Sequence, residues 1–188
     1  MTTPTSPAAA LLAAQQAAFR NEGPVPASVR KQRLQSVIDM LVRYADPLCA
    51  ALGADFGGRP GVFSLLNDVL GSLASLKHAR DHLEPWMADD PRPSIAPFDA
   101  FGATAWVRYQ PKGVVGIIGT WNAPVFTLLS PLASALAAGN RAVLKPSEVA
   151  PRTAQVLAEA VQQCLDPQVV AVVTGDASVA ADFSAQPW

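Results

Sequence analysis

The chain has 188 residues, half of them hydrophobic, and a formal net charge of −1. That length allows one domain, or one and a fraction, with a sizeable core. The balanced charge gives no electrostatic case for nucleic acid or an anionic membrane surface. No apolar window reaches the roughly 18 residues of a membrane span, and Met1–Pro7 lacks the positive region of a signal peptide. Cys49 and Cys164 show neither metal spacing nor a disulfide framework. The expectation is a soluble, cytoplasmic protein with reduced thiols and no metal, nucleic-acid or membrane partner.

In chain order, the first half reads as helical. Ala8 to Asn21 is alanine-rich and ends at Gly23-Pro24. From Ser28, the apolar positions Val29, Leu34, Val37, Ile38, Leu41, Val42, Ala45, Leu48 and Leu52 form one stripe at helical spacing. Asp46-Pro47 interrupts that stripe, which predicts a kink or a restart capped by Asp46. A third helix is expected from Val62 to Leu83, with Val62, Leu65, Leu66, Val69, Leu73, Leu76 and Leu83 on one face and Pro85 as its stop. Asp90 to Pro97 carries three prolines and reads as a loop, with Trp86 and Trp106 packing beside it.

The period then changes. Thr104 to Gln110 alternates like a half-exposed strand, and Val114 to Ile118 is a continuous apolar run of the kind found in buried parallel strands. Pro124 to Ala138 has helical spacing, and Gly139-Asn140 suits a C-cap. Arg141 to Leu144 is a second strand, Pro151 to Cys164 a helix, Val169 to Val173 a third strand, and Asp176 to Phe183 a further helix. The order β-α-β-α-β-α implies a parallel sheet with right-handed crossovers. A complete doubly wound domain has more strands, so the fold class expected is α/β, with a helical segment followed by the first half of a Rossmann-like sheet.

The polar residues at the two strand tips carry the chemistry. Asn122 stands where a strand gives way to a helix; on position alone it is a helix N-cap or an amide aimed at charge forming on a carbonyl oxygen. Lys145 and Glu148 are a surface pair three apart or groups that hold a cofactor, with the carboxylate accepting from a ribose diol. Gly113, Gly116 and Gly119 do not make the G-x-G-x-x-G fingerprint and read as points of close backbone packing. His78 and His82 lie one helical turn apart with no third ligand, so they read as a solvated face. Both cysteines read as packing thiols.

Together these residues carry a resemblance. The run Tyr109-Gln110-Pro111-Lys112-Gly113-Val114-Val115-Gly116-Ile117-Ile118-Gly119-Thr120-Trp121-Asn122-Ala123-Pro124 resembles the NAD(P)-dependent aldehyde dehydrogenases. So do Ala137-Ala138-Gly139-Asn140 and Leu144-Lys145-Pro146-Ser147-Glu148. In the helical part, Ala54-Asp55-Phe56-Gly57 and His78-Ala79-Arg80 look most similar to the coniferyl-aldehyde dehydrogenase branch.

The resemblance implies that Asn122 is the oxyanion-hole asparagine and that Ile118, Gly119, Thr120 and Trp121 lie along the nicotinamide side of NAD or NADP. It implies that Lys145, Ser147 and Glu148 lie at the adenosine ribose. In the family a cysteine thiolate attacks the aldehyde, hydride passes to the nicotinamide, and a glutamate-activated water releases the acid. That cysteine, that glutamate and the second cofactor motif fall beyond Trp188 in the family, so the catalytic domain is expected to be absent and the chain alone inactive. The division expected is 1–103 for the helical segment of the cofactor domain, 104–112 for an arm of the oligomerisation element, and 113–188 for the first part of the cofactor-binding sheet. A small aldehyde, aromatic and coniferyl-aldehyde-like, is the implied substrate, and a homo-oligomer (dimer or tetramer) the implied assembly of the complete protein. Thr120 replaces the family's common proline, and Ala123 replaces a frequent aromatic residue, which would widen the substrate tunnel. Two alternatives stay open at this stage: a non-catalytic nucleotide-binding or interaction module, and a reductase of acyl phosphates or acyl-CoA esters.

Overall fold

The computed structural model describes residues 6–188, so the reading of the extreme N-terminus falls largely outside the described residues. Helix α1 (Pro7–Glu22) starts where Ser6 accepts a hydrogen bond from the Ala9 N–H, and Pro7 takes the first turn, where its missing donor costs nothing. Helices α2 (Ala27–Arg43) and α3 (Ala45–Asp55) form one path broken at Tyr44. The break expected at Asp46-Pro47 is present, but Asp46 lies inside the first turn of α3 and is not its cap.

The third expected helix differs in phase. It runs as α4 (Gly61–Ser64), a π-turn (Leu65–Leu70) and α5 (Gly71–Met87). The π-turn rotates everything upstream of it relative to the α-helical stripe. Val69, Leu73, Leu76 and Leu83 are buried as expected, but Val62, Leu65 and Leu66 face solvent, and Ser64 and Asp68 take the inner positions. Pro85 does not stop the helix, which continues to Met87. The proline-rich stretch is not wholly a loop: β1 (Asp90–Arg92) pairs antiparallel with β2 (Ala105–Val107). That two-stranded arm is exposed rather than half-exposed. Trp86 and Trp106, expected to pack, are each about half exposed, at 47% and 52%.

From here the reading of the pattern matches the structure closely. Strands β3 (Val114–Ile118), β4 (Arg141–Lys145) and β5 (Val170–Val172) form a parallel three-stranded sheet in the order β3-β4-β5. Helix α6 (Phe126–Ala137) joins β3 to β4, α7 (Pro151–Cys164) joins β4 to β5, and α8 (Ala177–Ser184) follows. Helix α6 ends in a Schellman motif. The Asn140 N–H reaches the Ala135 carbonyl at 2.9 Å, the Gly139 N–H reaches Leu136 at 3.0 Å, and Gly139 has φ +86°, which an L side chain rarely adopts.

Alternation along the strands divides the core. Ile117, Ala142, Leu144, Val170 and Val172 point to a large cluster built with α2, α3, α5, α6 and α7. Val114, Val143, Ala171 and Val173 point to the other face, where they meet Leu12 of α1, Phe183 of α8 and Trp188. The sheet is therefore a middle layer, and α1 lies across it from the other N-terminal helices. Arg141 ties α1 down, donating to the Ala18 carbonyl at 3.0 Å and to the Glu22 carboxylate at 2.7 Å. Two of the three glycines near β3 are sites of close approach: a Cβ on Gly116 would lie 2.5 Å from the Trp188 ring, and one on Gly119 would lie 2.7 Å from Leu128.

Candidate functional site

The two polar tips lie side by side. The Gly119 N–H donates to the Lys145 carbonyl at 2.9 Å, extending the β3–β4 ladder by one bond past Ile118. Parallel strands place their carboxyl ends together, so the turn after β3 and the turn after β4 open on the same end of the sheet.

The first tip is Thr120 to Val125. Asn122 is exposed and does not cap α6, so the simplest positional reading is corrected. Its side-chain oxygen instead accepts the Thr120 hydroxyl at 2.7 Å. That bond engages the oxygen end of the amide and leaves the NH₂ end as the group presented outward. Thr127 steadies the turn: its hydroxyl donates to the Ala123 carbonyl at 2.9 Å and accepts the Thr120 N–H at 3.0 Å. Trp121 and Ile118 are both exposed beside the tip, whereas Ala123 is buried. The capping of α6 comes from far away in sequence. Asp68, on the π-turn, accepts the Val125 and Phe126 N–H groups through Oδ1, at 3.1 and 3.3 Å. Its Oδ2 accepts Arg59 Nη2 at 2.7 Å, and Arg59 Nη1 donates to the Asn122 carbonyl at 3.4 Å.

The second tip is Lys145 to Glu148. Lys145 is 1% exposed, an uncommon place for an ammonium group. Its Nζ donates to the Pro146 carbonyl at 2.8 Å and to Glu148 Oε2 at 3.1 Å. Ser147 is buried and accepts the Val149 N–H at 3.3 Å. Glu148 is exposed, and its carboxyl is held below the usual carboxylate range, first by its own backbone N–H and then by Lys145. At the neighbouring helix, Asp55 at the end of α3 accepts from the Thr153 N–H and hydroxyl, both at 2.8 Å, and so caps α7 from outside.

A cavity of about 520 Å³ opens beside this second tip. Its walls are Pro146 to Glu148, the α7 residues Ala154, Gln155 and Ala158, and Thr174 to Asp176. Pro151, Ala154 and Ala158 supply its apolar part, and the exposed Glu148 carboxylate supplies a hydrogen-bond acceptor at its edge. These residues fit the adenosine part of a dinucleotide. Glu148, Glu159 and Asp176 place three carboxylates around the opening.

Neither cysteine belongs to either tip. Cys49 is on α3 and Cys164 ends α7, both partly buried. Burial, then Asp46 and Asp68, push the Cys49 thiol up, away from the reactive thiolate. His78 and His82 are exposed and cluster with Trp86, on which the His82 ring stacks. No cluster of three or more potential metal ligands occurs among the described residues, and no described helix is long and apolar enough to cross a membrane.

Arg59, Asp68, Thr127 and Asp55 were not legible as site residues from spacing. One signal was available: Asp68 interrupts Leu65-Leu66 and Val69-Leu70, and a carboxylate inside an apolar helical run needs a partner.

The chain folds as a parallel α/β sheet with two polar tips at one end, and comparison with known proteins makes the class specific. The aldehyde dehydrogenase family model matches residues 2–187, and the chain belongs to that family. It is 44% identical over 171 residues to a coniferyl aldehyde dehydrogenase of Pseudomonas sp., an alignment that covers 91% of this chain and 35% of that protein. It is 35% identical to a 4,4'-diapolycopene-4,4'-dial dehydrogenase of Cytobacillus firmus, over 85% of this chain and 34% of the relative. Among solved structures, AldH of Staphylococcus aureus in its substrate-bound state superposes with a TM-score of 0.88 at 26% identity, covering 95% of this chain and 38% of that one. The chain thus spans little more than a third of the length of these relatives.

Proposed function

We propose that this chain supplies the oxyanion donor and the adenosine half of the cofactor site for NAD(P)-dependent oxidation of an aldehyde to a carboxylic acid. The observation that carries the reading is the Gly119–Lys145 bond, which joins a tip presenting an amide to a tip presenting a carboxylate. When bound, the nicotinamide cofactor supplies the hydride acceptor. The chain's own residues do the rest of the work assigned here. The Asn122 amide donates to the oxygen that becomes negative as a nucleophile adds to the aldehyde, and Thr120 keeps the amide oxygen turned away from it. Ile118, Gly119, Thr120 and Trp121 form the floor beside the nicotinamide. Lys145 orients the Glu148 carboxylate toward the ribose, and Ser147 shapes the turn beneath it.

The nucleophile and the water-activating carboxylate are assigned to the remainder of a longer polypeptide, so the 188-residue chain alone is inactive. The similarity to a coniferyl aldehyde dehydrogenase supports an aromatic aldehyde as substrate. Residues 1–103, 104–112 and 113–188 then serve as helical support, oligomerisation arm and cofactor sheet. The exposed Trp106, Val107 and Tyr109 suit the arm to burial in a homo-oligomer.

Titration of the chain with NAD and with ADP-ribose, followed by amide NMR, tests the reading. Shifts concentrated at Ser147, Glu148, Gln155 and Gly175 are expected. Absence of any shift there at millimolar ligand would overturn the assignment of the cavity.

A further inference from the structure

The buried pair formed by Arg59 and Asp68 is the feature that the proposed chemistry does not use directly. Asp68 is fully buried, and Arg59 keeps only 7% of its side chain exposed. The guanidinium lies between two rings, 4.9 Å from the centre of Phe56 and 4.6 Å from that of Phe63. Such a site is expensive to build: two charges lose water, and only good geometry compensates. Replacing the pair with apolar residues would fill the same space more simply. What the pair adds is reach. Asp68 Oδ1 holds the first N–H groups of α6, its Oδ2 holds Arg59, and Arg59 holds the Asn122 carbonyl. The turn carrying Asn122 is therefore held by one ion pair at two points, the Asn122 carbonyl and the start of α6. The π-turn is what brings Asp68 inward: Ser64 and Val69, five apart, are both buried, where α spacing would have buried Leu65 or Leu66. Single π-turns inside α-helices often occur at functional sites.

We infer that Arg59 and Asp68 are positioning residues for aldehyde oxidation, clamping the Thr120–Val125 turn so that the Asn122 amide meets the developing oxyanion. This rests on the oxyanion role proposed for Asn122. The pair acts through the backbone on the C-terminal side of Asn122, from its carbonyl to the first N–H groups of α6. Small misplacements of a catalytic group reduce rate far more than they reduce binding.

The test is a double-mutant cycle in the complete enzyme that carries these residues. Arg59→Ala should lower kcat by roughly tenfold to a hundredfold while KM for NAD changes little. Guanidine added at concentrations well below those that unfold the protein should restore part of the loss, as it can occupy the gap between Phe56 and Phe63. In an Asn122→Ala background, Arg59→Ala should add almost nothing, because the group it positions is gone. An equal loss in both backgrounds with no guanidine rescue would refute the clamp and leave a purely structural ion pair. If Asn122→Ala itself leaves kcat within a few-fold of wild type, the oxyanion reading fails instead. The clamp is then judged in the 188-residue chain by amide exchange in Arg59→Lys. Faster exchange at Thr120 to Phe126 with the rest of the chain unchanged supports it, and unchanged exchange there overturns it.

Discussion

The two strand tips solve the same problem in opposite ways. The tip after β4 is locally built: the Lys145 ammonium donates to the Pro146 carbonyl and to Glu148, and the Ser147 hydroxyl accepts from Val149, all side-chain contacts within five consecutive residues. The tip after β3 borrows its support from residues 57 and 63 positions away, Asp68 and Arg59, and from Thr127 on the next helix. Its catalytic candidate, Asn122, is exposed and contributes nothing to the capping of its own helix. A group that binds a cofactor can be placed by local sequence alone. A group that must meet a charge as it forms is placed by the rest of the fold.

The largest expected effect breaks the long-range support. Asp68→Ala should destabilise the chain by about 3–5 kcal/mol, because it leaves Arg59 as an uncompensated buried charge and orphans the α6 N–H groups. Urea denaturation followed by circular dichroism measures it. A loss below about 1 kcal/mol, the range of an exposed ion pair, would show that the tip does not depend on Asp68.

Next in size is Gly119→Ala, which tests packing at the join of the two tips. The added methyl meets Leu128, and overpacking of this kind costs roughly 1–3 kcal/mol. Leu128→Ala in the same chain should relieve the clash, although it brings its own cavity cost. A double variant no better tolerated than the two single changes combined would argue that Gly119 serves something other than close packing.

Smaller again is Thr120→Val, which keeps the shape and removes the hydroxyl that holds the Asn122 oxygen. A net hydrogen bond is worth about 0.5–1.5 kcal/mol, so kcat of the complete enzyme should fall several-fold while stability barely moves. No fall in kcat would mean that the amide is oriented without Thr120.

The smallest effect belongs to the locally built tip. Glu148→Gln should leave folding nearly unchanged and narrow the preference for NAD over NADP, since a carboxylate repels a 2′-phosphate. The pH dependence follows from the lowered Glu148 carboxyl. A depressed folded value means that its interactions are present above the ordinary glutamate range and are lost only as pH falls through the depressed value. NAD affinity should therefore stay flat from neutrality down through the ordinary glutamate range and drop below it. A drop centred at the ordinary glutamate value would indicate that Lys145 and the Glu148 backbone do not bias this group.

The same contrast explains what was legible in the amino-acid sequence. The alternation from Val114 onward, the helix at Pro151 and the Gly139-Asn140 cap were all readable, because strand, helix and cap signals are local. The Lys145–Glu148 pair was readable for the same reason, whereas the cofactor roles expected of Lys145, Ser147 and Glu148 came from the family resemblance. The π-turn was not, since one extra residue per turn leaves apolar residues in place and changes only which of them face inward. That single shift exposed Val62, Leu65 and Leu66, buried Ser64 and Asp68, and hid the Arg59–Asp68 support from any spacing argument. The β1–β2 arm was missed in part because Pro91 argues against a strand, although an edge strand tolerates it. Helix α5 outran Pro85 because a proline in the final turns lets the chain go on for a few residues before it leaves the helix.

The division of labour between the tips is the central claim, and kcat and the dissociation constant for NAD, measured side by side for Asn122→Ala and Glu148→Gln in the complete enzyme, test it most directly. Asn122→Ala should cost roughly a hundredfold to a thousandfold in kcat, the loss typical of one oxyanion donor, with NAD binding unchanged. Glu148→Gln should weaken NAD binding with kcat at saturating cofactor nearly intact. If Asn122→Ala weakens NAD binding as much as Glu148→Gln does, or leaves kcat within a few-fold of wild type, the two tips do not divide the work and the account is contradicted.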